Sequence, residues 1–337
     1  MAILGGRPVT ITGLGTFVPE HEVANDDLPS HLDTSDAWIA QRTGIRARRV
    51  AEPGTSASEL AVPAAHEALV QSGVGAEDIG LVMVATITPD QLTPATAARV
   101  AHAVGARNAG ALDLSAGCSG FVYGLAAASS MVSSGLYEHV LLVGSEVLSS
   151  ILDWEDRGTA VLFGDGAGAA IVSAANGAGR ILGFDLGNDG SGADLLGVPA
   201  GGSRLPASAE TVASRSHYLK MNGREIYRFA TRLVPASVER VLAASGRTAA
   251  DVDLFMPHQA NLRIIESVAE KLGIPMSRVH TTLQRYGNTS GASIPLGLAE
   301  ALREGRLRPG DLVLMVGFGA GLSWGSCLME WGGIGEG

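Results

Sequence analysis

The sequence predicts a layered α/β protein with two similar halves. Apolar, strand-like runs alternate with helix-like runs between residues 8 and 146, an order typical of a sheet covered by helices. Residues 72–83 and 245–256 share six of twelve positions when they are aligned without a gap. With 337 residues, of which 46% are hydrophobic, the chain is long enough to bury a large core.

The first half is predicted to alternate strands and helices. We predict strands at 8–18, 79–88, 111–114 and 139–146, and helices within 33–49 and at 56–73, 93–105 and 121–134. Pro94 suits the first turn of the third helix, because proline lacks the N–H that a first turn leaves unpaired. The GLG motif at 13–15 opens no dinucleotide site, because Val18 stands where the third glycine belongs.

The middle of the chain is richer in loops. Residues 157–174 have the glycine spacing of a phosphate-binding loop, but a strand-like run follows where a helix would be needed. We therefore predict a glycine-rich hairpin in the core at this point. A surface loop at 187–215 and a long helix at 221–246, adjusted at Pro235, complete the segment.

The second half repeats the order and spacing of motifs in the first. Cys118 lies 35 residues after Met83, and Asn288 lies 32 residues after Met256. Cys118 and Asn288 each stand at the start of a predicted helix rich in small residues, and each helix leads to a strand that ends in glycine. This order indicates a duplication, with halves at 1–175 and 176–337. Halves packed face to face would bring Cys118 and Asn288 together.

Cys118 stands where a strand-like run ends and a helix-like run begins. The positive end of the helix dipole and the unpaired N–H groups of the first turn favour the thiolate, which is the nucleophilic form. Gly117 and Gly120 permit a sharp turn and close approach of a substrate. A buried structural cysteine is the alternative, because free cysteines are among the most buried residues.

His258 and Asn288 are the candidate partners of Cys118. His258 follows a strand-like run in FMPHQANLRII, and Asn288 lies at a loop-to-helix corner in YGNTSGAS. The three groups suit acyl-thioester chemistry: a thiolate attacks, a neutral imidazole donates a hydrogen bond or shuttles a proton, and an amide donates without titrating. Taken singly, His258 can be an ordinary loop residue and Asn288 a helix N-cap. A papain-type protease is disfavoured, because its nucleophile motif and a secretory context are missing.

Composition excludes several classes of protein. The net charge of −10 argues against a nucleic-acid partner. Two cysteines without CxxC spacing predict neither a metal site nor a disulfide framework, and suit a reducing cytoplasm. No signal peptide or membrane-spanning run is evident, which predicts a soluble protein. Only 17% of the residues are charged, so we expect part of the surface to be buried against another subunit.

Taken together, the motifs resemble the β-ketoacyl-acyl carrier protein synthase III family, the initiating condensing enzymes of type II fatty acid synthesis in the thiolase superfamily. The resemblance runs from GLGTFVPE through CSGFVYGL, RGTAVLFGDGAGA and PHQANLRII to GNTSGAS and GFGAGLSWG, nearly the whole chain. It implies a thiolase-like, five-layered αβαβα fold of two duplicated halves. It also implies an acyl-CoA primer, malonyl-acyl carrier protein as the second substrate, a homodimer, and no cofactor or metal ion.

The resemblance also implies roles for single residues. Cys118 would carry the acyl group, while His258 and Asn288 would hold the malonyl thioester carbonyl as CO₂ leaves. The backbone N–H groups of Cys118 and Ala320 would form the oxyanion hole. Residues implied for CoA and substrate are Trp38, Arg42, Thr93, Arg157, Phe163 and Phe318, and those implied for the carrier protein are Arg228, Arg263 and Lys271.

At two positions the sequence departs from the family pattern, and we predict the effect of each change. Ala320 replaces the glycine of many members, which matters little if only its backbone N–H is used. Thr93 replaces a phenylalanine that closes the acyl pocket in some relatives, in a loop contributed by the neighbouring subunit. Because threonine is smaller, we expect tolerance of primers longer or more branched than acetyl.

Other activities remain as alternatives. The same fold can transfer an acyl group to a hydroxyl or amine without condensation, but the presence of both His258 and Asn288 favours condensation. A silent polyketide subunit and a non-enzymatic acyl-carrier binding module are disfavoured by the intact Cys118. A degradative thiolase needs a second active-site cysteine, and Cys327 lies in a terminal strand-like run.

Overall fold

The structure is a computed structural model that describes residues 6–175, 177 and 179–334. The strands in this part of the chain, in order, are β1 (Val9–Phe17), β2 (Glu22–Ala24), β3 (Ala47–Arg49), β4 (Ile79–Ala85), β5 (Gly110–Leu114), β6 (His139–Glu146), β7 (Gly166–Ala174), β8 (Arg180–Asn188), β9 (Leu196–Gly197), β10 (Lys220–Met221), β11 (Leu254–Pro257), β12 (Leu312–Gly319) and β13 (Ser323–Glu330).

The helices alternate with these strands. They are α1 (Asp36–Thr43), α2 (Ala57–Ser72), α3 (Thr96–Val104), α4 (Gly120–Ser133), α5 (Arg157–Ala160), α6 (Ala209–Ala213), α7 (Gly223–Ala244), α8 (Leu262–Leu272), α9 (Leu283–Tyr286) and α10 (Ser293–Arg303). Among the described residues, no helix combines the length and the apolarity that crossing a membrane would require.

The two large sheets have the same arrangement of parallel and antiparallel strands. The first is β1-β7-β6-β4-β5 and the second, read in the matching direction, is β8-β13-β12-β11. In each sheet the first three strands pair antiparallel and the next pairs parallel. A parallel bridge between Phe255 and Val279 lies where the first sheet has β5. The matching order confirms the predicted fold of two similar halves, while the boundary at 175/176 stays a prediction.

Five layers result from how the helices cover these sheets. Helices α4 and α10 contact strands of both sheets and form the central layer. Helices α2 and α3 cover the outer face of the first sheet, and α7, with α8 packed against it, covers that of the second. The central layer is thin because its residues are small: a Cβ at Gly124 of α4 would lie 2.5 Å from a methyl carbon of Leu142. The αβαβα prediction is confirmed.

Three local predictions are wrong. The glycine-rich stretch at 157–174 forms α5 and then β7, and β7 lies between β1 and β6 in the sheet instead of folding back as a hairpin. Strand β8 lies partly in a segment predicted as surface loop. Helix α3 is capped at Ala95 and begins at Thr96, so Pro94 precedes the first turn. For β7 and β8, the strand pairing that decides the structure joins residues distant in sequence.

Candidate functional site

Cys118 lies in a 3₁₀ turn, Gly117–Ser119, between β5 and the start of α4. Gly117 has a φ of +53°, which favours glycine and turns the chain sharply into the helix. Strand β12 passes so close that a Cβ at Gly319 would lie 3.0 Å from the Cys118 sulfur. The thiol is 6% exposed and lines a cavity of about 180 Å³.

The Asn288 backbone is held by the loop that precedes β7. Its N–H donates to the Leu162 carbonyl at 2.8 Å, and its carbonyl accepts from the Gly164 N–H at 3.0 Å. The Asn288 Oδ1 atom accepts from the Ser290 N–H at 2.8 Å. This bond fixes the orientation of the side-chain amide and leaves its Nδ2 hydrogens available to another acceptor.

The turns of Cys118 and Asn288 are packed against each other. The 3₁₀ turn Ser290–Ala292, which follows Asn288 and opens α10, contacts the Gly117–Ser119 turn. This approach depends on Gly144 of β6, where a Cβ would lie 2.3 Å from the Gly291 carbonyl oxygen. The corresponding helix starts of the two halves therefore meet at the cavity.

His258 is buried at the end of β11, and its backbone N–H donates to the Val316 carbonyl at 2.7 Å. Its Nδ1 lies 2.7 Å from the Ser293 hydroxyl, which also donates to the Ser290 carbonyl at 2.8 Å. A hydroxyl has one hydrogen, so Ser293 donates either to the Ser290 carbonyl, with the His258 proton on Nδ1, or to Nδ1, with the His258 proton on Nε2. Burial lowers the pKa of His258 to about 3, which keeps the ring neutral.

The electrostatics of Cys118 correct one expectation. We expected the helix N-terminus to favour a thiolate, but burial raises the pKa of the Cys118 thiol to about 12. The adjacent Ser290 hydroxyl lowers this pKa, and the negative charge of Glu146 raises it. Desolvation outweighs the local stabilisation, so the resting group is a thiol that must lose its proton when it attacks.

The cavity above Cys118 is largely apolar. The apolar side chains that line it are Ile87, Leu148, Phe163, Leu196, Val198 and Leu219. Ala320 also lines it, and its backbone φ is not positive, so alanine is not strained there. Phe318 packs edge-on against His258, with ring centroids 5.3 Å apart. Thr93 is exposed in this single chain and does not line the chain's own cavity.

The remaining predicted binding residues lie on the surface. The guanidinium carbons of Arg42 and Arg157 lie 4.4 and 4.9 Å from the centroid of the Trp38 ring. The residues predicted to bind the carrier protein are exposed, and their hydrogen bonds run from Arg228 to Glu225, from Arg263 to the Gln41 carbonyl and from Lys271 to the Thr231 carbonyl. These side chains do not reach Cys118.

One group of side chains has the spacing of a metal site. His280, Glu300 and Glu304 offer ligand atoms within 4.8 Å of one another. Arg306 donates to His280 Nδ1 at 3.0 Å, and Arg285 forms an ion pair with Glu300. These guanidinium groups occupy the position of a cation, so the group is an ion-pair network.

Three polar residues beside the site were not predicted from the sequence. They are Glu146, Ser290 and Ser293, all buried next to the turns of Cys118 or Asn288. For Glu146 a signal was present, since an acidic residue ends the otherwise apolar strand HVLLVGSE. Glutamate is almost never fully buried unless it is paired, so an acidic residue at the end of a buried strand is an informative position.

Comparisons with known proteins agree with this architecture. The family model 3-Oxoacyl-[acyl-carrier-protein (ACP)] synthase III matches residues 112–190, and the model of its C-terminal part matches residues 242–331. The β-ketoacyl-[acyl-carrier-protein] synthase III of Symbiobacterium thermophilum is 52% identical over 326 residues, which are 97% of this chain and 99% of that protein. That of Desulfitobacterium hafniense is 49% identical over 96% of this chain and 98% of its own length.

Solved structures give the same result. The 3-oxoacyl-(acyl carrier protein) synthase III of Pseudomonas aeruginosa has a TM-score of 0.90 at 44% identity, covering 98% of this chain and all of that one. A priming β-ketosynthase from a polyketide pathway has a TM-score of 0.89 at 37% identity, covering 98% of this chain and 99% of its own. The fold is thus that of a thiolase-like acyltransferase. The chain belongs to the β-ketoacyl-acyl carrier protein synthase III family.

Proposed function

We propose that this enzyme joins an acyl group from acyl-CoA to malonyl-acyl carrier protein with loss of CO₂. The product is a 3-oxoacyl-acyl carrier protein, which starts fatty acid synthesis. Family membership supports the reaction class, and the Cys118 thiol at the wall of an apolar cavity supports an acyl-enzyme route. Starting a polyketide chain involves the same chemistry, and one similar structure is a priming ketosynthase of such a pathway.

The first half-reaction loads Cys118. Its sulfur attacks the acyl-CoA carbonyl, and the acyl chain occupies the apolar cavity between Ile87 and Leu219. The negative charge that develops on the carbonyl oxygen is stabilised by the backbone N–H groups of Cys118 and Ala320. The backbone next to Cys118 lies close to Ala320, as this role requires. A Cβ at Gly117 would lie 3.2 Å from the Ala320 nitrogen.

The second half-reaction uses Asn288 and His258. The Nδ2 group of Asn288 donates to the malonyl thioester oxygen as decarboxylation makes it enolate-like. For His258 to donate from Nε2, the Ser293 hydroxyl must donate to Nδ1 and not to the Ser290 carbonyl. This arrangement forfeits one neutral hydrogen bond, about 1 kcal/mol. The carbanion then attacks the acyl-Cys118 carbonyl, and the thiol is regenerated.

CoA binds beside Trp38 in this proposal. The adenine ring stacks on the indole and displaces Arg42 or Arg157, which then stays close enough for cation–π and phosphate contacts. The acidic carrier protein docks against Arg228, Arg263 and Lys271, whose exposed positive charges stand out on a chain of net charge −10.

We place the active molecule in a cytoplasmic homodimer. Strand β5 is an edge of the first sheet, with Gly110 and Ala111 exposed, and an uncovered edge is a template for pairing with a second chain. Leu92, on the neighbouring loop, is 88% exposed. The same contact would carry Thr93 toward the cavity of the partner subunit. Two free cysteines suit a reducing compartment.

The test combines the enzyme with acyl-CoA primers and malonyl-acyl carrier protein, without an added cofactor or metal ion. Mass spectrometry follows the mass of the Cys118 peptide and the formation of 3-oxoacyl product. Acylation of Cys118 followed by CO₂ release is expected, with branched and longer primers accepted as well as acetyl. Acylation followed by transfer to a hydroxyl or amine, without CO₂ release, would contradict the proposal.

A further inference from the structure

Glu146 is a buried carboxyl group that has no role in the proposed reaction. It ends β6 and is completely buried. Its Oε2 atom accepts from the hydroxyls of Thr88 at 2.8 Å and Thr86 at 3.2 Å, and from the Ile87 N–H at 3.1 Å. Its Oε1 atom has no hydrogen-bond partner within the described part of the chain.

The unpartnered oxygen points toward the active-site turn. A Cβ at Gly291 would lie 3.5 Å from Glu146 Oε1, which places this oxygen against the turn that opens α10. Lys, Arg and His side chains described by the structure form no ion pair with Glu146. Burying a carboxylate without a cation is costly, so its retention here calls for a chemical reason.

Ser290 lies between Glu146 and Cys118. Ser290 lines the same cavity as Cys118, and Glu146 Oε1 lies against the neighbouring Gly291. The Ser290 side chain lowers the pKa of both Cys118 and Glu146, and its Oγ has no hydrogen-bond partner among the described residues. Ser290 also has a φ of +47°, rare for a residue with a side chain, and Asn288 holds it there through the Ser290 N–H. A hydroxyl with no other hydrogen-bond partner, placed between an acid and a base, is suited to passing a proton.

We propose that Glu146 is the base of the acylation step and that the Ser290 hydroxyl relays the proton of Cys118 to it. This inference rests on the proposed function, because it concerns the loading of Cys118 by acyl-CoA. Cys118 and Ser290 touch the reacting atoms, whereas Glu146 acts through Ser290.

The proton transfers balance over one acylation. As the Cys118 sulfur bonds to the acyl carbon, its proton passes to Ser290 Oγ, and the hydroxyl proton of Ser290 passes to Glu146 Oε1. The carbon–sulfur bond to CoA then breaks. The proton returns from Glu146 through Ser290 to the departing CoA sulfur, which leaves as a thiol, and Glu146 is again a carboxylate.

Glu146 suits this task better than His258 does. Burial raises the pKa of Glu146 to about 7, and a general base is most effective when its pKa lies near the working pH. Burial lowers the pKa of His258 to about 3, which makes it a weak base. Around Glu146, the elements packed against it contribute neutral threonine and serine hydroxyls, backbone groups and one titratable side chain, Cys118.

The test is single-turnover acylation at saturating acyl-CoA, followed by intact-protein mass spectrometry. In the wild type the rate is expected to rise with pH and level off above about pH 7. Glu146→Gln should slow acylation by roughly 10²–10⁴-fold and flatten the pH profile in this range. Ser290→Ala should cause a similar loss, and the double variant should be no slower than the worse single variant.

Ser129→Ala is the matched control, because Ser129 is another completely buried serine with an unpartnered hydroxyl, placed farther along α4. It should acylate at the wild-type rate. Acylation of Glu146→Gln or Ser290→Ala within threefold of the wild type, with the same pH profile, overturns the relay. If Glu146→Gln does not fold, Ser290→Ala decides alone. Absence of acyl-Cys118 in the wild type would instead refute the proposed function.

Discussion

Replacing Glu146 by glutamine should make the protein more stable at alkaline pH, although it slows the reaction. Glutamine has the same shape and can still accept the hydrogen bonds of Thr88 and Ile87 through its oxygen. What it removes is the charge that the wild type must bury above neutral pH. The exchange therefore isolates the energetic cost of this carboxylate.

The size of the effect follows from the pKa of the group. Burial raises the pKa of Glu146 from 4.5 to about 7 in the folded protein. The unfolded chain thus releases this proton at a lower pH, so the stabilising contribution of the protonated carboxyl is complete below pH 4.5. It is lost as the pH rises through about 7. At about 1.4 kcal/mol per pH unit, this interval amounts to roughly 3 kcal/mol.

The assay is urea unfolding of both proteins at pH 4.5 and pH 8.5, at one protein concentration. The stability difference, variant minus wild type, should grow by roughly 3 kcal/mol between these pH values, equivalent to about 4 °C in melting temperature for a chain of this length. Other titrating groups cancel, because both proteins contain them. A difference that stays within about 1 kcal/mol across this range would refute the assigned burial cost.

Four further substitutions separate the roles of the site residues. Asn288→Ala should retain acylation of Cys118 but slow condensation at least about 100-fold, with acyl-enzyme accumulating in the mass spectrum; loss of acylation would contradict its role. Ser293→Ala removes the hydrogen-bond partner of the imidazole, so CO₂ release should slow by about tenfold while acylation stays within about threefold; equal slowing of both steps would count against it. Gly319→Ala places a methyl group about 3.0 Å from the sulfur, and acylation should fall by more than about tenfold with the fold retained by circular dichroism; wild-type acylation would show that the strand yields. Trp38→Ala should raise the KM for acyl-CoA by about tenfold without changing kcat, and should not affect an acyl thioester that lacks the nucleotide.

Several features of the fold were readable from local pattern. Helix α2 ends at Gly73, whose φ of +69° is typical of a helix C-terminus, and α1 begins after Ser35, which caps the Trp38 N–H. The repeat between 72–83 and 245–256 was sufficient to predict two matching sheets. The core hairpin failed, and the loop predicted at 187–215 begins inside β8, at its last two residues, because strand partners in this fold come from distant parts of the chain.

The sequence by itself determined the layered fold, the pairing of its halves and the candidate trio Cys118, His258 and Asn288, because repeat spacing and helix-start motifs are local patterns. Only the tertiary structure decided the protonation of these groups. It buries Cys118 deeply enough to make it a thiol, and it buries His258 as a neutral ring whose Nδ1 faces the Ser293 hydroxyl. It also brings Glu146, from β6, beside a turn that begins at residue 290. Desolvation and hydrogen bonding depend on residues far apart in the chain, and these set the charge on each catalytic group.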